Sequence, residues 1–263
     1  MNEISCFIYI NFMSLIAFQI FVFNICIKIF IMKVFILCGG HGTRLDNLGK
    51  IIAKPMARIG KEPLLLHIIE NFYLQGFNDF VICTGHKSTT INNFFLKEKK
   101  HLVKVIKKLK DYILIEVKFQ NKIFRCHIIF TGLNSGTGGR IKIAYSKLKL
   151  NEDIIMTYGD GLSNVNIQKL KNFHYKNDAL VSLTAVRPKQ RYGVIKIKKN
   201  KIIAFDETKS IYMESYINGG FFVLSKNALK YINNSFTYWE NEPLTKIVKK
   251  QKVFAFKHKG FWQ

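Results

Sequence analysis

The run Val34–Leu37 is apolar on both faces of an extended chain, and it stops at three glycines in four residues, Gly39, Gly40 and Gly42. A strand apolar on both faces belongs in the interior of a sheet covered on both sides, which favours a parallel sheet between helix layers. The following segments keep that pattern. PLLLHIIENFYLQG (63–76) has helical apolar spacing with Pro at its start and Gly at its end, and DFVICTG (79–85) is a second apolar run closed by glycine. GRIKIAYSKL (139–148) reads as a helix, DIIMTYGDG (153–161) as a strand ending in a glycine-flanked acid, and VNIQKLKNFHYK (165–176) as a helix. Beyond Ala179 the signals are strand-rich (ALVSLTAV, YGVIKIK, KIIAFDE, YINGGFFVL), then helical from Lys226 to Lys250, then a last strand VFAFKHK. The expected fold is α/β: one domain with a parallel sheet and helices on both faces, its ligand beyond the carboxyl ends of the strands. No internal repeat and no Pro/Ser-rich linker divides the chain.

The 263 residues, 48% of them hydrophobic, are enough for a substantial core. The formal charge of +24 is partly a matter of composition, since the chain leans to Lys, Ile, Asn, Phe and Tyr, the residues of A/T-rich codons. The remainder points to an anionic ligand, with nucleic acid or anionic lipid as alternatives. The lysine-dense segment 97–110 has no interleaved aromatic, which argues against stacking on a nucleic-acid strand and favours a solvated amphipathic helix or excursion. Five scattered cysteines without a C-x-x-C pair suggest neither disulfides nor a zinc site and fit a cytoplasmic protein.

Residues 1–31 stand apart. No charged side chain occurs from Ile4 to Ile27, long enough to cross a bilayer at ~20 residues, but Asn11, Gln19 and Asn24 interrupt it. It is an apolar extension, read either as a start-site artefact ahead of a true start at Met32 or as a membrane anchor; a signal peptide lacks its basic head and cleavage site.

The loop after the first strand, Leu37-Cys38-Gly39-Gly40-His41-Gly42-Thr43-Arg44, lacks the third glycine of a dinucleotide fingerprint and the Lys-Ser/Thr of a P-loop. What remains suits a triphosphate. Glycines allow backbone N–H groups to face an anion, a following helix start adds partial positive charge, and Arg44 offers a planar fork for phosphate oxygens. The isolated histidines have no metal-binding spacing.

GGHGTRL, Lys54-Pro55-Met56, NSGTGGR (134–140), TYGDG (157–161), INGGFFVL (217–224), TYWENEPL (237–244) and GFWQ (260–263) together resemble the sugar-1-phosphate nucleotidyltransferases, and within them the cytidylyl branch. The resemblance runs from Met32 to Gln263. It implies a Rossmann-like α/β fold with a mixed, mostly parallel sheet flanked by helices, CTP and α-D-glucose 1-phosphate as substrates, CDP-glucose and pyrophosphate as products, Mg²⁺ as cofactor, a homo-oligomer, and a role in deoxysugar precursors for O-antigen and other surface polysaccharide; neither nucleic acid nor, unless residues 1–31 are an anchor, membrane is a partner.

Carried over by position, Leu37, Cys38, Gly39, Gly40, His41, Gly42, Thr43 and Arg44 would hold the nucleotide, with Arg44 on the departing pyrophosphate and Lys54 on the phosphates at the reacting centre. Ser135 and Arg140 would contact nucleotide or sugar phosphate, Gly159 would line the site, Asp160 would ligate Mg²⁺, and Glu207 and Asn218 would lie near the sugar. Two positions depart from the family pattern. After GFWQ the family has a second aspartate for the metal, so residues 32–263 are expected to be a domain truncated at its C-terminus. After Glu207 the order is Thr208-Lys209 rather than Lys-Pro. A relative using UTP, dTTP or GTP, and an inactive binding module of the same fold, are the alternatives.

Overall fold

A computed structural model describes residues 32–40, 52–98, 102–187, 194–198, 200–206 and 215–263. The extension 1–31, and His41, Gly42, Thr43, Arg44, Glu207 and Lys209, lie outside the described residues. β1 (Val34–Cys38) is buried along its whole length. A 3₁₀ turn, Lys54–Met56, and a small hairpin of β2 (Arg58–Ile59) and β3 (Glu62–Pro63) lead to helix α1 (Leu64–Tyr73). Then come β4 (Asp79–Thr84), α2 (Ser88–Lys97), β5 (Leu102–Leu109), β6 (Tyr112–Phe119) and β7 (Lys122–Phe130). The chain continues through α3 (Thr137–Lys147), β8 (Ile154–Tyr158), α4 (Ile167–Lys176), β9 (Val181–Val186), β10 (Val194–Lys198), β11 (Lys201–Asp206), β12 (Ile217–Leu224), α5 (Glu242–Lys249) and β13 (Val253–His258).

Among the described residues, nine strands form one mixed sheet in the order β13-β9-β12-β8-β1-β4-β7-β6-β5. The four central strands, β8, β1, β4 and β7, are parallel, as their double-sided burial requires. One face carries α1, α2 and α4, whose Leu65, Ile69, Phe72, Ile91, Phe95 and Leu170 pack on Val34, Ile36, Phe80 and Ile82. The other face carries α3 and α5, with Ile141, Ala144, Trp239 and Ile247 against Phe35, Val81 and Met156. Phe72 joins the first layer across the sheet, its ring 6.1 Å from Phe77 and 6.2 Å from Phe221; burying such a ring contributes about 1.5–3 kcal/mol. At the head of α4 the Asn166 side chain accepts the Lys169 amide at 2.8 Å, a cap that contributes about 1 kcal/mol.

Two segments differ from a helical reading. Most of the lysine-dense segment 97–110, expected as an amphipathic helix or an excursion, is strand β5, paired among the described residues to β6 alone and exposed at every residue but Val103. LVKVIKKL satisfies either period, and pairing with β6 decides it; lysines on an edge strand also discourage further strand addition. The span Lys226–Lys250 is broken into a 3₁₀ turn, Ala228–Tyr231, and α5. Between them the chain turns through Asn233, Asn234 and Ser235 to bury Trp239. No helix among the described residues is long and apolar enough to cross a membrane.

Candidate active site

The four parallel strands end on one side, with Leu37 beside Tyr158 and Cys38 beside Thr84. The loops beyond those ends carry the described part of the expected site. The Gly159 amide donates to the Leu37 carbonyl at 3.0 Å and so draws the turn after β8 onto the loop after β1. Glycine is required there: a Cβ on Gly159 would stand 2.7 Å from Pro55 Cγ and 2.8 Å from Cys38 Sγ. Pro55 is in turn fixed by the 3₁₀ turn that begins at Lys54. This packing brings Lys54 Nζ to 3.2 Å from Asp160 Oδ2, across 106 positions of sequence. A cation and a half-exposed carboxylate thus share the mouth of the crevice.

Cys38 is no nucleophile. Burial first, and then Cys83 and Asp160, push its thiol well above the usual range. Among the described residues no three His, Cys, Asp or Glu side chains converge to hold a metal. Asp160, a lone hard oxygen donor open to solvent beside Lys54, fits a magnesium ion that takes its other ligands from phosphate oxygens and water.

The second glycine loop is filled by protein. The amides of Gly136 and Gly139 donate to the carbonyls of Ser235 and Thr237 at 2.9 and 3.0 Å, so the head of α3 is capped by main chain. Ser135 Oγ donates within its own loop to the Thr131 carbonyl at 2.5 Å. The Arg140 guanidinium, 4% exposed, donates to the carbonyls of Thr84, Gly132, Leu133 and Gly39 and to Thr131 Oγ1.

The motifs assign no role to Tyr158, two residues before Asp160, or to its partner Glu240. The Tyr158 hydroxyl donates to Glu240 Oε1, and Glu240 Oε2 accepts from Thr137 Oγ1 at 2.5 Å. Burial, followed by the facing Glu240 carboxylate, pushes the Tyr158 phenol far above its usual value, so it stays a donor. Gly220, at φ +80°, leaves space for the Tyr158 ring. Asn218 is exposed on β12, its Oδ1 taken by the Gly220 amide at 2.8 Å. The available signal was Glu240 itself, a carboxylate directly after the buried Trp239.

The segment after β13 closes the same corner. Leu162 and Gln263 exchange main-chain hydrogen bonds of 2.8 and 2.9 Å, Ser163 Oγ donates to the Phe261 carbonyl at 2.7 Å, and Trp262 Nε1 donates to the Gly219 carbonyl at 2.8 Å. The turn bearing Asp160 is therefore held by GFWQ on one side and by β1 on the other.

A mixed sheet with a lysine and an aspartate converging beside a glycine loop is the arrangement of an enzyme that handles nucleotide phosphates. The chain belongs to the nucleotidyl transferase family, which matches residues 33–263. It is similar to glucose-1-phosphate cytidylyltransferase of Salmonella typhimurium, 35% identical over 232 residues that cover 88% of this chain and 90% of the relative. The enzyme of the same name from Salmonella typhi matches at 35% over the same shares. The solved structure of HddC from Yersinia pseudotuberculosis has the same fold, with a TM-score of 0.63 at 23% identity over 88% of this chain and 92% of that one.

Proposed function

We propose that this chain is a glucose-1-phosphate cytidylyltransferase: it transfers the cytidylyl group of CTP to α-D-glucose 1-phosphate, giving CDP-glucose and pyrophosphate. The observation that carries the reading is the 3.2 Å approach of Lys54 to Asp160 at the carboxyl ends of β1 and β8, in a chain 35% identical to named cytidylyltransferases.

A phosphate oxygen of the sugar attacks the α-phosphorus, the new P–O bond forms, and the bond to the β-phosphate oxygen breaks as pyrophosphate leaves. The attacking phosphate is already ionised, so no general base is needed, and catalysis consists of positioning and charge neutralisation. Lys54 exchanges Asp160 for the phosphates at the reacting centre, while the backbone of Leu37–Gly40 borders the nucleotide. Arg44 takes the departing pyrophosphate, and Glu207 and Asn218 face the sugar. Asp160 would hold Mg²⁺, which when bound neutralises phosphate charge.

The test is pyrophosphate release from glucose 1-phosphate with each of CTP, UTP, dTTP and GTP in the presence of Mg²⁺. CTP is expected to be preferred; preference for another triphosphate defeats the cytidylyl assignment, and silence with all four defeats the enzymatic one. Asp160→Asn is expected to lower turnover by about 10²-fold or more, the scale for losing a group that stabilises transition-state charge, without loss of folding. Unchanged turnover would remove Asp160 from the metal site.

A further inference from the structure

Arg140 lies one turn into α3, and its guanidinium is wedged between two glycines that end different strands. A Cβ on Gly39, just past β1, would stand 2.2 Å from Arg140 Nη1, and a Cβ on Gly85, just past β4, would stand 2.3 Å from the same atom. Neither position admits a side chain while the guanidinium is present. The planar group uses its donors on oxygens from three loops: Nη1 to Gly132 O at 2.8 Å, Thr131 Oγ1 at 2.9 Å and Thr84 O at 3.3 Å, and Nη2 to Gly39 O at 2.8 Å and Leu133 O at 3.2 Å. It thus ties together the carboxyl ends of β1, β4 and β7.

A buried cation is tolerated when its donors are satisfied, and the five N–H donors of a planar guanidinium reach more acceptors than the three of an ammonium. No described carboxylate forms an ion pair with Arg140. The nearby Cys38 and Cys83 are thiols pushed up by burial, so they supply no counter-charge. Among the described residues, carbonyl and hydroxyl oxygens compensate this cation.

We infer that Arg140 is a positioning residue of the nucleotide cradle. It acts through the backbone at Gly39 and at 131–133 and does not touch phosphate, and Gly39 is a glycine because the guanidinium takes the space its side chain would fill; at Gly85 the Gly132 carbonyl oxygen, 2.7 Å from a Cβ there, bars a side chain as well. The inference rests on reading the loop after β1 as the nucleotide site. It differs from the family-based expectation in giving Arg140 and the first loop glycine to each other.

Two measurements on the full chain test it. The first is the thermal midpoint without any nucleotide, which does not depend on the proposed activity. Gly39→Ala is expected to lower the midpoint, and the double variant Gly39→Ala/Arg140→Ala is expected to be no less stable than Arg140→Ala alone, because the obstruction has gone. Additive losses overturn the inference. If Gly39→Ala does not fold, a folded double variant supports it and an unfolded one beside a folded Arg140→Ala overturns it; if Arg140→Ala itself does not fold, Arg140→Leu, whose side chain ends short of the guanidinium plane, takes its place.

The second measurement is the affinity for CTP with Mg²⁺ by calorimetry, with KM for glucose 1-phosphate beside it. Arg140→Lys and Arg140→Gln are expected to weaken CTP binding by the same factor within threefold, while KM for glucose 1-phosphate stays within threefold of the parent. If Arg140→Lys holds CTP tenfold or more tighter than Arg140→Gln, the charge acts on phosphate directly and the inference fails. A parallel rise in both substrate constants marks a general structural loss and also overturns it. Absence of any CTP binding by the parent would defeat the cytidylyl reading, and the first measurement would still decide whether the arginine and glycine are coupled.

Discussion

The glycines after β1 and those at the head of α3 look alike on paper and have different neighbours in the fold. A Cβ on Gly40 meets no described atom within 4 Å, whereas one on Gly139 would stand 1.8 Å from the Ser235 carbonyl oxygen and one on Gly136 would stand 2.4 Å from that of Thr237. Gly40 opens onto solvent, and the glycines of α3 open onto the main chain of 235–239. A glycine-rich loop beside a strand end can therefore receive a ligand or receive protein, and only the packing partner distinguishes the two uses.

Substitutions should separate these uses. Gly139→Ala forces backbone against backbone and is expected to cost about 3 kcal/mol, the upper range for overpacking, seen as a fall in thermal midpoint of roughly 6–12 °C for a chain of this size. A fall of under 2 °C would mean that 235–239 moves aside and that the second loop is open after all.

The next largest effect concerns the opposite end of the sheet, where Asp79 accepts from Lys33 at 2.9 Å and lies 2.9 Å from His127 Nε2. Burial raises the Asp79 pKa, but the His127 hydrogen bond and the Lys33 charge outweigh it and hold the carboxyl below its unfolded value of 3.8. A folded pKa below the unfolded one means stability that is present above pH 3.8 and lost as pH falls below it. Asp79→Asn is expected to cost about 2 kcal/mol at neutral pH, the scale of hydrogen bonds to a charged group, and to flatten the loss of stability in acid, as measured by urea midpoints between pH 3 and 7. An unchanged acid slope would assign that dependence to other groups.

Gly40→Ala should do least to the fold, within about 0.5 kcal/mol as for an ordinary surface change, while raising KM for CTP several-fold. A stability loss comparable to that of Gly139→Ala would erase the contrast between the loops.

The strands and helices that built the central sheet were legible because their apolar runs were closed by glycine or capped by proline. Val34–Cys38, Leu64–Tyr73, Asp79–Thr84 and Ile154–Tyr158 all form where those signals stand. The alternation Ile113, Ile115, Val117, Phe119 in β6 was also available, since those are the residues of β6 that are fully buried in the first core layer. Less was legible where a distant segment decides the local structure. LVKVIKKL becomes a strand because β6 pairs with it, and 226–250 breaks because Trp239 must reach the second core. Lys54 and Asp160 were named together by the family resemblance, and their approach to 3.2 Å is seen only in the fold. The Tyr158–Glu240 pair and the lodging of Arg140 were not legible, because each depends on contacts across 82 and 101 positions that no local pattern encodes.

The pairing of GFWQ with the turn after β8 has a consequence in time. Ser163 and Phe261 are 98 residues apart in the chain, and at synthesis rates of about 5–20 residues per second the second emerges on the order of 5–20 s after the first. During that interval β1 and β8 can already pair, yet the Asp160 turn lacks one of its two supports. The turn bearing Asp160 thus gains this support only once GFWQ has emerged, well after the strands on either side of it can pair.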